Sequence, residues 1–232
     1  MKLTEDQIQD LFNFVRKHHV EHYDLRIELV DHLANGIEAQ WHEHPERSYK
    51  DARLREFRKF GVHGFERVVR KRRKAMEKKY WKIIFGFVKE WFKLPKIILT
   101  LTATYILFQI FVKLPQNHMG YYALIPFFIL ALFFLWRSLQ LKKRIAYQNK
   151  KWMLEEMIFN QVHLFNLIIF PIHIFNSAVI LNESLVMNRM FLILVTVILV
   201  LFSILVYVMV YIIPKKAEEL LAETYPEYKM TA

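Results

Sequence analysis

The sequence predicts an all-α membrane protein: a cytoplasmic N-terminal helical bundle, an interfacial amphipathic helix and four transmembrane helices. Three observations lead to this fold class. The 232 residues are 54% hydrophobic and yet carry a formal net charge of +11. Charge and hydrophobicity separate near residue 95, so that a polar part precedes an apolar part. Beyond that point, four apolar stretches approach the roughly 20 residues that a helix needs to cross a bilayer.

Residues 1–80 read as a domain of short helices. Thr4 with Gln7 and Ser48 with Asp51 have capping-box spacing, which marks two helix starts. The segment HEHPERS separates the second helix from the third. Apolar residues recur with helical spacing, and we expect burial in the first helix of Ile8, Leu11, Phe12 and Val15, in the second of Leu25, Leu29, Leu33, Ile37 and Trp41, and in the third of Leu54, Phe57 and Phe60.

Residues 81–93 predict an amphipathic helix that lies in the membrane interface. Lys82, Gly86, Lys89 and Lys93 form one polar stripe, and mainly aromatic and aliphatic residues cover the remainder. Upstream, nine Lys or Arg residues stand between Arg67 and Lys82 against one acid. The predicted contacts with anionic lipid are Arg70, Lys71, Arg72, Arg73, Lys74, Lys78, Lys79 and Lys82.

Two other readings of this basic run remain. The charges are sufficient as a positive-inside topology signal without any ligand. Nucleic-acid binding fits less well, because the aromatic residues follow the charges instead of alternating with them as stacking platforms. We therefore expect a lipid bilayer with anionic headgroups as a partner and no nucleic acid.

Residues 94–214 predict a four-helix transmembrane domain with spans at 94–112, 121–136, 157–181 and 191–213. Lys and Arg concentrate before the first span, between the second and third, and after the fourth, whereas the other two loops are poor in them. The N-terminus also lacks the basic and apolar regions of a secretory signal. This distribution predicts that both termini, including the tail 215–232, are cytoplasmic.

The third span contains an unusual polar face. His163, Asn166, His173 and Ser177 fall within one arc of about 80° at 100° per residue. Hydrogen bonding to the first span, at Thr100, Thr104 or Gln109, would explain the arc as a packing device. A ligand or proton path is the alternative, because ionisable groups inside a membrane are candidates for function.

Metal and catalytic chemistry find little support in the sequence. There is no cysteine. His18 with His22 and Glu28 with His32 have i, i+4 spacing, but neither pair completes a site, and no HExxH or other catalytic motif is present. We expect packed or surface histidines, with pH sensing as the alternative. No metal, no cofactor and no catalytic residue is therefore predicted.

The segment ELVDHLANGIEAQWHEHPERSYKDARLREFRKFG resembles the HAAS-type helical domain of bacterial membrane proteins and the related prefix domain of some ABC permeases. The resemblance departs after Gly61, where those domains usually have Asp-Pro and this chain has Val-His-Gly. The whole chain is similar to uncharacterised multi-pass membrane proteins of Bacteroidota, which implies the bacterial inner membrane. The residues that carry the motif are Asp31, His32, Leu33, Ser48, Ala52, Phe60 and Gly61.

These observations lead to a functional expectation. The resemblance implies a non-enzymatic protein with a regulatory, sensory or assembly role, which binds a protein partner through residues 1–80. The alternative is a small transporter or proton-coupled channel that uses the third span. A homo-oligomer is expected as well, since one subunit offers little interior in which to place the polar arc.

Overall fold

The computed structural model describes residues 2–115, 119–145, 150–166, 169–173 and 189–228, apart from the side chains of 119–121, 123, 144, 145, 162 and 163. Of these residues 83% are helical, and none is in a strand. The helices are α1 (Glu5–Lys17), α2 (Tyr23–Glu43), α3 (Tyr49–Arg58), α4 (Glu66–Trp91), α5 (Lys96–Lys113), α6 (Met119–Ile145), α7 (Met153–Phe159), a 3-10 turn (Gln161–Leu164), α8 (Arg189–Tyr207), a π-helical turn (Val208–Ile212), α9 (Ile213–Lys215) and α10 (Ala217–Thr224).

The chain divides into two compact units. Unit 1 comprises Met1–Lys79, Gln148–Glu156 and Glu227–Ala232, and unit 2 comprises Tyr80–Tyr147 and Met157–Pro226. The first division falls inside α4, which is one continuous helix. The basic run and the amphipathic stretch, which the sequence analysis separates at residue 80, therefore belong to a single helix of 26 residues.

The core of unit 1 is built around α2. Its five residues at i+4 spacing, Leu25, Leu29, Leu33, Ile37 and Trp41, are all buried, as the sequence predicts. Each fully buried Leu or Ile contributes about 1.5–3 kcal/mol relative to exposure. Leu11 and Val15 of α1 are buried too, and α2 contacts both α1 and α3.

Two predicted core residues are exposed. Ile8 in α1 and Leu54 in α3 have 38% and 42% of their surface accessible. The inward face of α3 instead carries Ala52 and Glu56, one turn apart. The face is displaced because the Glu56 carboxylate accepts a hydrogen bond from Gln40 of α2 and pairs with Lys59 at 2.5 Å. The polar contacts of Glu56 thus set the orientation of α3, and hydrophobic periodicity does not predict them.

Both predicted helix starts are confirmed by their caps. The Thr4 hydroxyl accepts a hydrogen bond from the Gln7 amide, and the Gln7 side chain accepts one from the Thr4 amide, which completes the capping box. Ser48 caps α3 by accepting from the Asp51 amide. Here the Asp51 carboxylate accepts from the Ser48 hydroxyl, at 2.7 Å. Each such cap contributes about 1 kcal/mol.

Unit 2 holds three helices that are long and apolar enough to cross a membrane: Lys96–Lys113, Leu124–Lys143 and Arg189–Lys215. They correspond to the first, second and fourth predicted spans. The second predicted span, 121–136, is shorter than the helix that contains it, because α6 continues to Ile145. Phe111, Phe127, Leu192, Val195 and Leu199 form a buried cluster among these helices. This composition and length indicate a membrane protein.

The predicted third span, 157–181, lies only partly within the described residues. Gln161 sits beside Met209, with 2.7 Å between its side-chain nitrogen and the Met209 carbonyl oxygen. Ile172 packs against the buried cluster that includes Leu192.

Candidate functional site

The most structured polar site of unit 1 joins residues 21–24 to residues 150–156. We call this pair of segments the clasp. The Tyr23 amide donates to the Lys151 carbonyl at 2.7 Å, and the Met153 amide donates to Asp24 Oδ1 at 3.3 Å. His22 Nε2 lies 2.6 Å from Glu156 Oε2, and Lys151 pairs with Glu21 at 3.3 Å.

Burial makes the clasp specific. His22 is 4% exposed and Asp24 is 8% exposed, so their polar atoms depend on protein partners instead of water. Because Asp24 Oδ1 receives the amide of the first residue of α7, the carboxylate of one segment caps the helix of the other. Loss of either side would leave a buried polar group unpaired, at a cost of about 1–3 kcal/mol.

Aromatic rings surround the clasp. The Trp152 ring is buried and makes edge contacts with Tyr23 at 5.3 Å and with Tyr228 at 5.5 Å between centroids. The C-terminal tail therefore reaches the same place. Sequence reasoning missed this site because its members lie about 130 residues apart, and no local pattern relates them.

A groove of about 610 Å³ forms a second candidate site in unit 1. Aromatic and aliphatic side chains share its lining with cationic and imidazole groups: Lys17, His18, His19, Phe57, Val62, His63, Gly64, Phe65, Glu66 and Val69. The His18 ring packs against Phe57 at 4.4 Å, and its Nδ1–H donates to the Phe14 carbonyl at 2.8 Å. Because Glu66 offsets Lys17 in the lining, the apolar side chains are what suit the groove to a docked protein segment.

The predicted pairing of His18 with His22 on one helix face is wrong. Helix α1 ends at Lys17, and His18 is its C-terminal cap, whereas His22 precedes α2. Between them, His19 adopts a left-handed φ of 63°, which reverses the chain. Glu28 and His32 do share α2, but Glu28 lies 3.7 Å from Arg72, and the His32 ring packs on Phe60.

Metal binding can also be assessed across the part of the chain that the structure describes. There, no group of three or more His, Asp or Glu side chains is placed to hold an ion.

The motif residues of the predicted HAAS-like domain serve the α2–α3 hairpin. Leu33 and Ala52 are buried between the helices, and Ser48 caps α3. Phe60 packs on Phe65 at 4.8 Å, and Gly61 adopts a φ of 80°, which favours glycine. Asp31 and His32 are exposed. The other five residues thus have a folding role.

The predicted lipid-contact residues lie along α4. Arg70, Lys71, Arg73, Lys74, Lys78, Lys79 and Lys82 are exposed. Arg72 is half-buried and faces Glu28, so it contributes to packing within unit 1. Arg70 pairs with Glu66 at 2.6 Å.

The predicted polar face of the third span is described only in part. Asn166 and His173 are exposed, while the His163 side chain and Ser177 lie outside the described residues. Of the predicted partners on α5, Thr100 and Thr104 donate their hydroxyl hydrogens to carbonyls one turn earlier in their own helix.

Gln161 is not a member of the predicted polar face, but the structure buries it completely. Its side-chain amide lies 2.7 Å from the carbonyls of Ile158 and Met209 and 3.3 Å from the Tyr80 hydroxyl. Burial raises the pKa of the Tyr80 phenol.

The π-helical turn explains why Met209 needs this donor. The Ile213 amide bonds to the Val208 carbonyl, five residues back, so it does not serve Met209. The following residue, Pro214, has no N–H to offer. Gln161 supplies the missing hydrogen bond from another segment. A proline directly after a long apolar stretch is the available sequence signal.

Comparisons with models of protein families, with curated proteins and with solved structures find no match for this chain.

Proposed function

We propose that this chain is a non-enzymatic, four-span protein of the bacterial inner membrane. Its cytoplasmic helical unit is an interaction domain with a regulatory, sensory or assembly role. The resemblance to HAAS-type domains supports this class of function. The clasp is the observation that carries the proposal, because it ties the interaction unit to the segment that enters the third span.

The number of crossings follows from parity. Unit 1 contains residues before α5, residues 150–156 after α6 and residues from 227 onward. A compact water-soluble unit lies on one side of a membrane, so an even number of crossings must separate each of these pieces. Helices α5 and α6 supply two. Since α8 and its extension would supply one further crossing, we propose that the chain between 157 and 188 supplies the fourth.

The positive-inside distribution then assigns unit 1 to the cytoplasm. Both termini share that side.

A protein partner fits the groove better than a small substrate. Its lining combines the exposed Val62 with the aromatic Phe57 and Phe65. Binding at the groove and movement at the clasp would affect each other through unit 1, because both belong to the same compact body. We infer that the unit either senses the state of the membrane part or controls it.

Site-specific photocrosslinking in native membranes tests the interaction domain. A photoreactive amino acid in place of Val62, which is fully exposed at the groove, should give discrete protein adducts. The same residue in place of Asn35, which is exposed on α2, is the control and should give few. Equal adducts from both positions, or none from either, would contradict a docking role for the groove.

The coupling is tested with the clasp variant Glu156→Ala. Its Val62 adducts should change in yield or identity, because His22 loses its buried partner. The matched variant Glu223→Ala removes an exposed carboxylate and should leave the adducts unchanged. If Glu156→Ala leaves the Val62 adducts unchanged, the groove binds its partner without coupling to the clasp. That result would contradict a sensory or regulatory role.

A small transporter or proton-coupled channel is the second candidate. The exposure of Asn166 and His173 in a segment proposed to cross the membrane favours it, as it also favours a homo-oligomer in which another copy covers them. Proteoliposomes that contain His173→Leu should lose ion or proton flux if transport is the function. Unaltered flux and pH dependence would exclude that residue from a path.

A further inference from the structure

Helix α4 presents one exposed stripe along its length. Arg67, Lys71, Lys74, Lys78, Lys82, Phe85 and Lys89 recur at spacings of three or four, and Phe92 follows at the same spacing directly after the helix. At 100° per residue these eight residues fall within about 80° of one another. All eight are exposed. We call them the outer stripe.

The opposite face of α4 is covered by the protein. Met76, Tyr80 and Ile84 are buried there at four-residue spacing. Further along, Trp91 contacts Tyr207, and Lys216 lies over the Phe87 ring at 5.5 Å. All four residues of the polar stripe predicted from sequence, Lys82, Gly86, Lys89 and Lys93, are exposed, and Phe85 and Phe92 are exposed as well. Apolar side chains occupy both faces, one inside the protein and one outside it.

The outer stripe changes character along the helix. Four cations occupy its N-terminal half, and none of the four has an ion pair among the described residues. In the C-terminal half, Phe85 is 61% exposed, and Phe92 stands shortly before α5, the first apolar helix. Large aromatic side chains exposed beside a membrane-crossing helix favour immersion at headgroup depth.

We propose that the outer stripe binds the surface of an anionic lipid leaflet, with Phe85 and Phe92 immersed and Arg67, Lys71, Lys74 and Lys78 against lipid phosphates. The inference rests on the proposed membrane location and narrows the predicted contact set. Four of the predicted contacts lie off the stripe: Arg70, Arg72, Arg73 and Lys79. Arg70 already pairs with Glu66, and Arg72 faces Glu28. Charge complementarity and the adjoining membrane helix select lipid over nucleic acid.

The absence of cysteine from the chain makes a direct depth measurement feasible. A nitroxide on Phe85→Cys, in full-length protein in nanodiscs, reports immersion through its accessibility to oxygen and to a water-soluble nickel chelate. We expect immersion in discs of phosphatidylcholine with phosphatidylglycerol and less in phosphatidylcholine alone. Each stripe cation should raise the equilibrium constant for immersion about fivefold in the anionic discs, corresponding to roughly 1 kcal/mol.

Matched charge variants separate the stripe from general electrostatics. Lys74→Gln with Lys78→Gln should reduce the equilibrium constant for immersion of the label by roughly 25-fold, the product of two such contacts. Arg73→Gln with Lys79→Gln removes the same charge from exposed positions off the stripe and should change it little. Equal effects of the two pairs, or immersion independent of phosphatidylglycerol, would overturn recognition of anionic lipid by this face.

A second label distinguishes this inference from the proposal beneath it. Ile106→Cys lies on an exposed position of α5 and should be lipid-immersed in every disc. If that label is immersed while the Phe85→Cys label remains in water, the outer stripe does not bind lipid and the membrane location stands. If neither label is immersed, the membrane location itself is wrong.

Discussion

Gly36 and Gly86 both lie inside long helices, but their surroundings differ. A Cβ at Gly36 would collide with the buried Glu56 side chain, whereas a Cβ at Gly86 would meet nothing within 4 Å. Glycine therefore permits the close approach of α2 and α3 that the Glu56 carboxylate anchors. At Gly86 no packing contact requires it.

We expect Gly36→Ala to destabilise the protein by about 1–3 kcal/mol, because overpacking outweighs the gain in helix propensity. Gly86→Ala should stabilise it by up to about 1 kcal/mol. Thermal unfolding of both variants in detergent measures the difference. Stabilisation by both substitutions would mean that Glu56 moves aside freely.

At the residue scale, the hydrogen-bond donor of the buried Gln161 can be tested by substitution. Gln161→Glu keeps the shape but turns a donor into an oxygen that faces two carbonyls, and we expect a loss of at least about 3 kcal/mol. Gln161→Met loses the donor without repulsion and should cost less. If Gln161→Met unfolds at a lower temperature than Gln161→Glu, the bond to Met209 is not what stabilises this junction.

At the scale of elements, a polar contact joins α1 to α3. The Tyr49 hydroxyl donates to Asp10 Oδ2 at 2.7 Å, and Arg53 pairs with the same carboxylate. Burial and then the hydrogen bond to Asp10 raise the pKa of the Tyr49 phenol. The folded protein therefore holds this proton at pH values where the unfolded chain releases it.

A raised phenol pKa gives stability that is present below the ordinary value of about 10 and declines as pH rises beyond it. We expect the unfolding temperature to fall above about pH 10, and Tyr49→Phe to reduce that fall. Part of the fall should persist, since burial raises the pKa of Tyr80 as well. Tyr23→Phe, which leaves the Tyr49–Asp10 bond intact, should follow the wild-type profile. An unchanged profile for Tyr49→Phe would exclude this contact as the cause.

The elements also show what sequence can predict. The i+4 residues of α2, the two caps and three apolar helices follow from local periodicity and capping chemistry. Leu54 was misplaced because polar contacts through Glu56 orient α3. The clasp could not be predicted, since it depends on partners about 130 residues apart. In the sequence, the π-helical turn is indicated only when Pro214 is considered together with the distant Gln161.

For the whole molecule, the central claim is that an even number of crossings brings three chain segments together in one cytoplasmic unit. The claim unites the clasp, the basic loops and the third span within one topology. It also explains why Trp152 can contact both Tyr23 near the N-terminus and Tyr228 near the C-terminus.

Single-cysteine labelling in oriented membranes tests this claim most directly. Cysteines in place of Glu46, Lys151 and Glu223, all exposed, should react with an impermeant maleimide in inverted vesicles and not in intact cells. A cysteine in place of Pro115, between α5 and α6, should show the opposite pattern. Labelling of the Glu223 position from outside the cell would mean an odd number of crossings after residue 156 and would contradict the account.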